Sequence, residues 1–413
     1  MKLLWLCNMA PGIAREGNDA GGLWIDHVLS DLRKKENLVI RILFPGNDGK
    51  QGSPDDRCSY AAFPFGAPYD YRQDQEALFA SELETFQPDV IHVWGTEFAH
   101  TLAMVNVAEK AGLLDHLVVS IQGLCSIYTQ HYAEGVPYDV QKGYTFRDFV
   151  RKDNILQQQG KFALRGNLEV QALQKVRHVI GRTHWDKACT GQIGPQAQYH
   201  FCNETLRDAF YEGSWSYDSC QKRRIFASSC VYPVKGFHYL LHAFAQILKQ
   251  YPDAVLAVPG KSFFAYSLQE KLRQSGYQKY LAQLAAYYGL EDKIEFLGNL
   301  NADRMKEEYL KANVFVLPST IENSPNSLGE AMLLGTPCVA ADVGGVTTMM
   351  AADKEGYVYQ PSADYMLADY VQQIFAAGAE AKTMGTAAAA HARITHNPET
   401  NLNTLLSIYE SLK

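Results

Sequence analysis

Several patterns that mark common classes of protein are missing from this sequence of 413 residues. Its eight cysteines form no C-x-x-C pair, so the sequence indicates reduced thiols rather than a disulfide scaffold or a zinc site. The G-x-G-x-x-G fingerprint of nicotinamide cofactors is absent. No apolar run approaches the ~20 residues needed to span a bilayer. These absences predict an ordinary soluble globular protein of the cytoplasm.

Two superficial likenesses to known motifs also fail. The opening MKLLWLCNMAPG looks like a signal peptide, but its apolar run is only about eight residues long and leads into a glycine-rich turn, which favours a first β-strand. The stretch VPGKSFF at 258–264 looks like part of a Walker motif, but its upstream glycine is replaced by Val255. We therefore reject an ATPase and interpret Gly260 as a turn that approaches a ligand closely.

Short apolar runs alternate with helical patterns along the whole chain. Strands that alternate with helices form parallel sheets covered by helices, so we predict an α/β fold with two Rossmann-like parallel-sheet domains. The runs of the first series are 2–7, 38–44, 89–94, 117–122 and 176–183, and those of the second start near 224 and continue at 254–260, 293–298, 313–319 and 336–342. Ligands of such sheets bind in the loops after the strands.

The rhythm of these runs also predicts domain boundaries. The first domain is expected at 1–205 and the second at 224–388, with a polar and aromatic linker at 206–223. Residues 389–413 form a separate C-terminal helical segment. Two doubly wound domains joined by a linker are expected to face each other across a cleft.

Two helix starts that contain glycine suit an anion. Gly21 and Gly22 enter an amphipathic helix soon after the first strand, where free backbone N–H groups and the helix dipole favour a phosphate. Lys235 precedes Gly236 at a helix start after the first strand of the second series, where its charge could neutralise a diphosphate. The alternatives are an ordinary tight turn at the first place and a solvated lysine at the second.

The stretch ENSPNSLGEAMLLGTPCVAADVGG, residues 322–345, holds two glutamates on either side of a tight turn. Ser327 followed by Glu330 predicts a capping box, in which the serine caps the helix and the glutamate reaches back to its first N–H. This interpretation leaves Glu322 and the pair Gly344-Gly345 without a role.

A functional interpretation accounts for the second glutamate. Pro325 to Ser327 lead into a helix start, whose free N–H groups suit an anion. Glu322 and Glu330 flank that position, and carboxylates accept hydrogen bonds from the paired hydroxyls of sugars. Phosphate donors and hydroxyl acceptors side by side describe a site for a nucleotide sugar.

This combination resembles the retaining glycosyltransferases of family 4, which have two Rossmann-like domains in the GT-B fold. The resemblance covers nearly the whole chain and is carried by GGLWID, PDVIHVWGTEF, PVKGFHYLLHAF, FLGNL, VLPSTIENSPNSLGEAM and GTPCVAADVGG. The glutamate–turn–glutamate stretch is quite specific, whereas GG and KG alone are weak. The family pattern also brings the last helix back onto the first domain, which we expect of 389–413.

The resemblance implies roles for the matching residues. Glu330 would bind the ribose hydroxyls, and Glu322, a candidate catalytic residue, would bind the donor sugar. Lys235 would neutralise the diphosphate, and the loop 298–300 would hold the base. The implied donor-binding set is Gly21, Gly22, Lys235, Gly260, Asn299, Leu300, Pro325, Asn326, Ser327, Leu328 and Glu330.

Two positions depart from the family pattern. An arginine usually precedes the lysine as a second diphosphate clamp, and here Ser229 or Cys230 occupies that place. A histidine often follows the fourth strand, and here it is Gln122, a candidate catalytic residue whose amide can bind a hydroxyl but cannot take up a proton. Loss of the arginine weakens neutralisation of a leaving diphosphate. Arg182 and Lys261 are the cations that could compensate.

The reaction that the resemblance implies is transfer of a glycosyl group to a hydroxyl acceptor, with retention and in surface polysaccharide or glycoconjugate assembly. Its barrier is lowered by positioning and by stabilising the departing diphosphate. No D-x-D occurs in the chain, so we expect no metal bridging the diphosphate. We also expect no cofactor, since the nucleotide sugar is the donor substrate. A nucleotide-sugar epimerase, a sugar phosphorylase and a non-catalytic sugar-nucleotide-binding protein are the alternatives.

Charge is unevenly distributed along the chain. The net charge of −7 argues against a nucleic-acid partner, but residues 147–182 carry eight basic against three acidic side chains. Solvated helix faces are one explanation. The other is an anionic acceptor, such as a lipid-linked pyrophosphate, or an acidic membrane surface, which would give peripheral contact with the inner face of the membrane. The long aromatic loop 124–144 is a candidate wall of the acceptor pocket.

Overall fold

The computed structural model describes residues 1–15 and 24–413. These residues form two compact units. Unit 1 consists of Met1–Thr129, Lys161–Arg207 and His396–Lys413, and unit 2 of Gln130–Gly160 and Asp208–Thr395. Each unit is built on one largely parallel sheet covered by helices, which confirms the predicted fold class.

The sheet of unit 1 has eight strands within the described residues. They are β1 (Lys2–Cys7), β2 (Val39–Pro45), β3 (Gln51–Asp55), β4 (Cys58–Phe63), β5 (Val90–Trp94), β6 (Leu117–Ser120), β7 (His178–Gly181) and β8 (Gln198–Phe201). Their order is β3-β4-β2-β1-β5-β6-β7-β8, and β3 runs antiparallel to β4. Leu3 pairs with Val90, so the direction of winding reverses between β1 and β5.

The sheet of unit 2 has six parallel strands in the part of the chain that is described. They are β9 (Arg224–Phe226), β10 (Val255–Val258), β11 (Ile294–Phe296), β12 (Val314–Leu317), β13 (Cys338–Ala341) and β14 (Tyr357–Tyr359). Their order is β11-β10-β9-β12-β13-β14. Ile225 pairs with Leu256 on one side and Val314 on the other, so the winding of this sheet reverses between β9 and β12.

Helices cover both sheets, and none in the described ranges is long and apolar enough to cross a membrane. The first ten are α1 (Trp24–Arg33), α2 (Gln73–Phe86), α3 (Ala99–Lys110), α4 (Cys125–His131), α5 (Tyr138–Lys142), α6 (Phe146–Arg151), α7 (Ile155–Leu173), α8 (His184–Ile193), α9 (Phe237–Gln250) and α10 (Leu268–Arg273). The others are α11 (Gly276–Tyr288), α12 (Ala302–Lys311), α13 (Asn326–Leu334), α14 (Val346–Met349), α15 (Asp364–Ala377), α16 (Ala381–Thr395) and α17 (Pro398–Leu412).

The central strands are continuous apolar runs because both faces of a parallel sheet are covered. In β1, no side chain from Leu3 to Cys7 exposes more than 1% of its surface. The strands that the sequence did not predict lack this property. β3 reads QGSPD and is mostly exposed, and β8 reads QYHF and is only partly buried.

The last helix completes the core of unit 1. The hydroxyl of Tyr409 on α17 accepts a hydrogen bond from Trp5 Nε1 at 3.2 Å and lies 2.6 Å from His92 Nδ1. Burial holds the pKa of His92 well below its usual range, so its ring is neutral in this core. The segment that the sequence set apart at 389–413 is therefore divided, and its final helix belongs to unit 1.

Two segments differ from the predicted domain boundaries. Residues 130–160, assigned to the first domain, belong to unit 2, because their backbone carbonyls are held there. The carbonyl of His131 accepts from Thr320 Oγ1 at 2.9 Å, and that of Glu134 accepts from His238 Nε2 at 3.0 Å. The expected linker at 206–223 belongs to unit 2 from Asp208 onward, where buried Trp215 donates its indole N–H to the carbonyl of Ala312 at 2.7 Å.

Candidate active site

In unit 2, the loops after β9 and β12 meet at the point where the winding of the sheet reverses. The ammonium of Lys235 lies 2.6 Å from Glu322 Oε1, and the hydroxyl of Ser319 donates to the same oxygen at 2.7 Å. Glu322 exposes 6% of its surface, while about a third of the Lys235 side chain is exposed. Open α/β sheets bind their ligands at such points, so this ion pair marks the candidate site of unit 2.

Two glycines fix the loop that carries Glu322. Gly236 has φ of +63°, and a Cβ there would lie 1.8 Å from the carbonyl oxygen of Pro318. Gly344 has φ of +52°, and its Cβ would lie 1.8 Å from the carbonyl oxygen of Glu322, to which Gly345 also donates its N–H at 3.0 Å. The double glycine, which had no role in the sequence analysis, lets two backbones approach and so positions Glu322.

The capping box predicted for Ser327 and Glu330 is wrong. The helix α13 begins two residues earlier than expected, and its N-cap is Pro325, which provides no side-chain hydrogen bond. Proline has no N–H and a φ that suits a helix start, so the chain turns helical directly after it. Ser327 is therefore already inside the first turn, and Glu330 lies too far along the helix to reach back to the cap.

The start of α13 offers backbone donors. Leu328 and Gly329 give their N–H groups to the carbonyl of Pro325, at 3.0 and 3.3 Å. For the N–H groups of Asn326 and Ser327, no acceptor occurs among the described residues. Both lie just after the loop of Glu322, as the sequence predicted, and free N–H groups at a helix start suit an anion.

Glu330, which the resemblance assigns to the ribose hydroxyls, is buried within α13. Its side chain is 3% exposed, and its Oε2 lies 3.5 Å from the hydroxyl of Tyr309. A carboxylate held this deep has fixed orientation, which suits recognition of a hydroxyl pair better than a mobile surface glutamate would.

The predicted base-binding loop is joined to the loop after β10. Gly260 and Gly298 exchange both backbone hydrogen bonds, at 2.7 and 3.1 Å. The sequence analysis explained Gly260 by close approach, but a Cβ there would meet no described atom within 4 Å, and φ of +103° is what requires glycine. Asn299 is exposed and Leu300 partly buried, so both can reach a ligand from this bridge.

The place of the expected arginine holds no cation. Cys230 exposes 5% of its surface, and burial raises the pKa of its thiol to about 12, so it stays neutral. Lys261, the compensating cation suggested in unit 2, is exposed next to Gly260. Lys235 is thus the cation that directly contacts Glu322 in the described part of the loop.

In unit 1, Gln122 belongs to a polar cluster at the carboxyl end of β6. Its amide donates to Glu204 Oε1 at 2.8 Å and accepts from Arg182 Nη2 at 3.3 Å. Arg182 also donates to the carbonyl of Ile121 at 2.8 Å and forms a buried ion pair with Glu204. Arg182, the second suggested compensating cation, is therefore already neutralised within unit 1.

A small cavity of about 30 Å³ lies beside this cluster. Gln122, Arg182, Glu204, Trp94 and Asn401 contribute to its lining. A volume of this size holds one or two water molecules rather than a sugar. The cavity is therefore too small to be an acceptor pocket by itself.

Sequence reasoning missed a polar group at the reversal point of unit 1. Asn8, after β1, donates to Glu97 Oε2 at 2.8 Å and accepts from His100 Nε2 at 2.9 Å. Gly95 has φ of +109°, and a Cβ there would lie 2.2 Å from the Glu97 carboxylate. Burial raises the pKa of Glu97. The sequence could have identified this group by position alone, because Asn8 and Glu97 follow β1 and β5, the two strands between which the winding reverses.

A second missed carboxylate occupies the start of α4. Glu169 on α7 accepts from the N–H groups of Cys125 and Ser126 and from the hydroxyls of Ser126 and Thr96, at 2.6 to 3.1 Å. Gly166 permits the approach, since a Cβ there would lie 2.6 Å from Ser126 Cα. Burial raises the pKa of Glu169 to about 7. The positive end of α4 is thereby satisfied by the protein itself.

Two further predictions concern other parts of the chain. Gly21 and Gly22 lie outside the described residues. Within the described ranges, no group of three or more His, Cys, Asp or Glu side chains could hold a metal ion.

Comparisons with known proteins agree with this geometry. Residues 219–391 match the family model described as glycosyl transferases group 1. The chain is 31% identical over 145 residues to the uncharacterized glycosyltransferase MJ1607 of Methanocaldococcus jannaschii, a match that covers 35% of this chain and 33% of that one. It is 30% identical over 170 residues to the D-inositol 3-phosphate glycosyltransferase of Streptomyces bingchenggensis, with 39% and 35% covered. The matches thus span about a third of these relatives' length.

Solved structures extend the comparison to the whole chain. Sucrose-phosphate synthase of Thermosynechococcus elongatus superposes with a TM-score of 0.72 and 17% identity, covering 100% of this chain and 99% of the other. Anabaena HepE in complex with UDP-glucose gives a TM-score of 0.68 with 18% identity and 100% of both chains covered. At such identities the likeness concerns the fold.

The fold and the strand-end loops define a protein of the GT-B class, the two-domain architecture of many glycosyltransferases. Within it, residues 219–391, which match the family model of the group 1 glycosyl transferases, carry Lys235, Glu322 and Glu330.

Proposed function

We propose that the protein is a retaining, metal-independent glycosyltransferase of family 4. It moves a hexosyl group from a nucleoside diphosphate sugar to a hydroxyl acceptor, in surface polysaccharide or glycoconjugate assembly. The observation that carries the proposal is the ion pair of Lys235 and Glu322, placed directly before the helix start at Asn326 and Ser327. This arrangement brings one cation, two backbone donors and one carboxylate to the reversal point of unit 2.

Each group has a task in the proposed donor site. The N–H groups of Asn326 and Ser327 and the dipole of α13 stabilise the diphosphate, and Lys235 adds a full positive charge. Glu322 binds hydroxyls of the donor sugar, and Glu330 those of the ribose. The pair of Lys235 and Glu322 supports this division, since a diphosphate that takes over the ammonium leaves the carboxylate free to accept from the sugar.

The proposed reaction needs no group beyond these. The bond between the anomeric carbon and the diphosphate oxygen breaks, and the acceptor oxygen forms its bond on the same face of the sugar. The acceptor proton passes to the departing diphosphate oxygen, whose developing charge is stabilised by Lys235 and the amides of α13. Metal independence is proposed because the sequence has no D-x-D to bind a bridging cation.

The donor and the place of action are part of the proposal. HepE, which is similar in fold, has been solved with UDP and with UDP-glucose, and we propose a uridine nucleotide as the first donor base to test. We further propose a cytoplasmic location with peripheral contact at the inner face of a membrane, where a lipid-linked acceptor is found.

A thermal-shift panel of nucleoside diphosphates and their sugars, with EDTA present, tests the donor site. We expect one nucleotide to raise the melting temperature of the protein, and Glu330→Ala to abolish that rise. No rise with any nucleotide would sink the proposal. Isomerised sugar nucleotide without an acceptor would instead identify an epimerase, and transfer to inorganic phosphate a phosphorylase.

One observation favours a second candidate function, a non-catalytic sugar-nucleotide-binding protein. The neutral thiol of Cys230 stands where the family has an arginine, and the amide of Gln122 is held by Glu204. Both features reduce the charge and proton-transfer capacity available to a reaction. Tight binding of a sugar nucleotide without release of its diphosphate, across a panel of sugar and lipid-linked acceptors, would identify this function.

A further inference from the structure

The short helix α6 in unit 2 buries a charged side chain and exposes its apolar side chains. Its carboxylate residue, Asp148, is fully buried, where it accepts from the N–H of Gly276 at 2.7 Å and pairs with Arg147 at 2.8 Å. Its apolar residues face outward, because Phe149 exposes 72% and Val150 62% of their surface. A surface helix ordinarily buries its apolar stripe, so this reversal leaves an apolar face without a partner.

The neighbouring helix α10 extends the same surface. It lies next to α6, and Leu268 exposes 74% of its surface. Tyr266, just before α10, exposes 80%, and Leu272 is also exposed. The α6–α10 surface, as we name it, consists of Phe146, Phe149, Val150, Tyr266, Leu268 and Leu272. Clustered exposed aromatic and aliphatic side chains of this kind mark interaction sites on soluble proteins.

Basic side chains lie on the same two helices or directly after α6. Arg151, Lys152, Lys271 and Arg273 are exposed, and no acidic side chain among the described residues pairs with any of them. The nearby carboxylate of Glu270 is already bound, since it accepts the N–H groups of Tyr266 and Ser267.

Elsewhere in the basic segment of the sequence, the charges are used internally. Lys175 pairs with Glu109, Arg177 with Asp115, and Arg182 with Glu204. In most of residues 147–182, the basic side chains are therefore explained by contacts within the protein and need no anionic partner. The unpaired charge lies at its start, on Arg151 and Lys152, and continues on α10, which the sequence analysis did not include.

We propose that the α6–α10 surface docks on an anionic phospholipid bilayer. Aromatic and aliphatic side chains partition into the interface, and the four cations of the same helices are attracted by acidic headgroups. The concentration of four cations on one surface of a protein whose net charge is −7 favours an anionic bilayer as the binding partner. A second copy of the chain fits poorly, because a two-fold contact would bring the same cations of both copies together.

Sedimentation of the full chain with lipid vesicles tests the proposal. We expect the protein to sediment with vesicles of equal parts phosphatidylglycerol and phosphatidylcholine, less so at high salt, and to stay in solution with phosphatidylcholine alone. The variant Phe146→Ser/Phe149→Ser/Leu268→Ser should weaken binding at least about tenfold. The variant Arg151→Gln/Lys152→Gln/Lys271→Gln/Arg273→Gln should do the same, because each basic residue near the bilayer contributes to the attraction.

A matched control removes exposed apolar residues elsewhere in unit 2. Tyr287, Tyr365 and Ile394 expose 80%, 61% and 76% of their surfaces, and their joint replacement by serine should leave vesicle binding unchanged. The proposal is overturned if the wild-type protein ignores the acidic vesicles, or if the control variant loses binding as strongly as the α6–α10 variants. A dimer that dissociates only in the apolar variant would assign the surface to a second copy instead.

The inference rests on the proposed function only for the reason why the protein would bind a membrane, which is access to a lipid-linked acceptor. Titration of each variant with UDP separates the two. Vesicle binding without any nucleotide binding would leave the docking surface in place and refute the donor site, whereas nucleotide binding retained in variants that no longer sediment would support both.

Discussion

The ammonium of Lys235 and the carboxylate of Glu322, 87 positions apart in the chain, form an ion pair 2.6 Å long at the end of the unit 2 sheet. The residues that the family resemblance assigns to diphosphate and sugar therefore neutralise each other in the structure. A donor that contacts either side chain would compete with this ion pair, so the pair links the stability of the loop to the affinity for ligand.

Lys235→Met should weaken both properties. It leaves the buried carboxylate of Glu322 without its cation, which should lower the free energy of unfolding by about 1–3 kcal/mol, discounted because the lysine is partly exposed. The dissociation constant for UDP should rise about tenfold or more. Urea unfolding and calorimetric titration measure the two effects. Lys235→Arg is the control that keeps the charge, and equal UDP affinity of wild type and Lys235→Met would contradict the assignment.

Gly344→Ala should distort the loop of Glu322. The added Cβ would overlap the Glu322 carbonyl oxygen, and φ of +52° is itself unfavourable, so we expect a loss of about 3 kcal/mol or more together with loss of UDP binding. Gly289→Ala is the matched control, because Gly289 has φ of +66° but no atom within 4 Å of its Cβ position. It should cost about 1–2 kcal/mol and leave UDP binding intact. Equal effects of the two substitutions would refute the close approach.

Ser327→Ala should have little effect on stability, below about 0.5 kcal/mol, since Ser327 does not cap α13. Ser275→Ala provides the comparison, because Ser275 is the N-cap of α11 and accepts from the N–H of Gln278 at 3.2 Å. That substitution should cost about 1 kcal/mol. Chemical denaturation of the two alanine variants side by side would contradict the assignment of the caps if Ser327→Ala proved the more damaging.

The buried carboxyl of Glu169 should make the stability of unit 1 depend on pH. Its pKa is about 7 in the folded protein and 4.5 as the ordinary value, so the folded state binds more protons between these values. The contribution of this group is fully present below pH 4.5 and is lost as the pH rises through 7. The loss amounts to on the order of 3 kcal/mol.

Glu169→Gln removes the titrating group and so isolates its effect. The urea midpoints of wild type and variant should be compared at pH 5 and pH 8, and the advantage of the wild type should shrink at the higher pH. The variant should be less stable at pH 5, because an amide cannot accept from all four donors. A difference between the two proteins that does not change with pH would show that Glu169 is ionised throughout.

The sheets were predictable because buried parallel strands are continuous apolar runs. The site was predictable in part for the same reason, since Lys235, Glu322 and Glu330 follow strands or open a helix beside them. The polar edge strand β3 carries no such signal, and short local patterns misled at Ser327, where Pro325 fixes the helix start. Contacts between distant segments, such as Asn8 with Glu97 or Glu134 with His238, depend on packing that no local pattern encodes.

The way the chain passes between its units has a consequence for biosynthesis. Trp5 and His92 leave the ribosome long before Tyr409, whose hydroxyl completes their hydrogen bonds from 404 and 317 positions further along the chain. Unit 2 is interrupted in the same way, because residues 130–160 await partners such as Thr320. Neither unit can finish folding during synthesis of its own first half. Nascent chains of this protein should therefore keep both units incomplete until these later segments have been synthesised, unlike proteins whose domains follow one another along the chain.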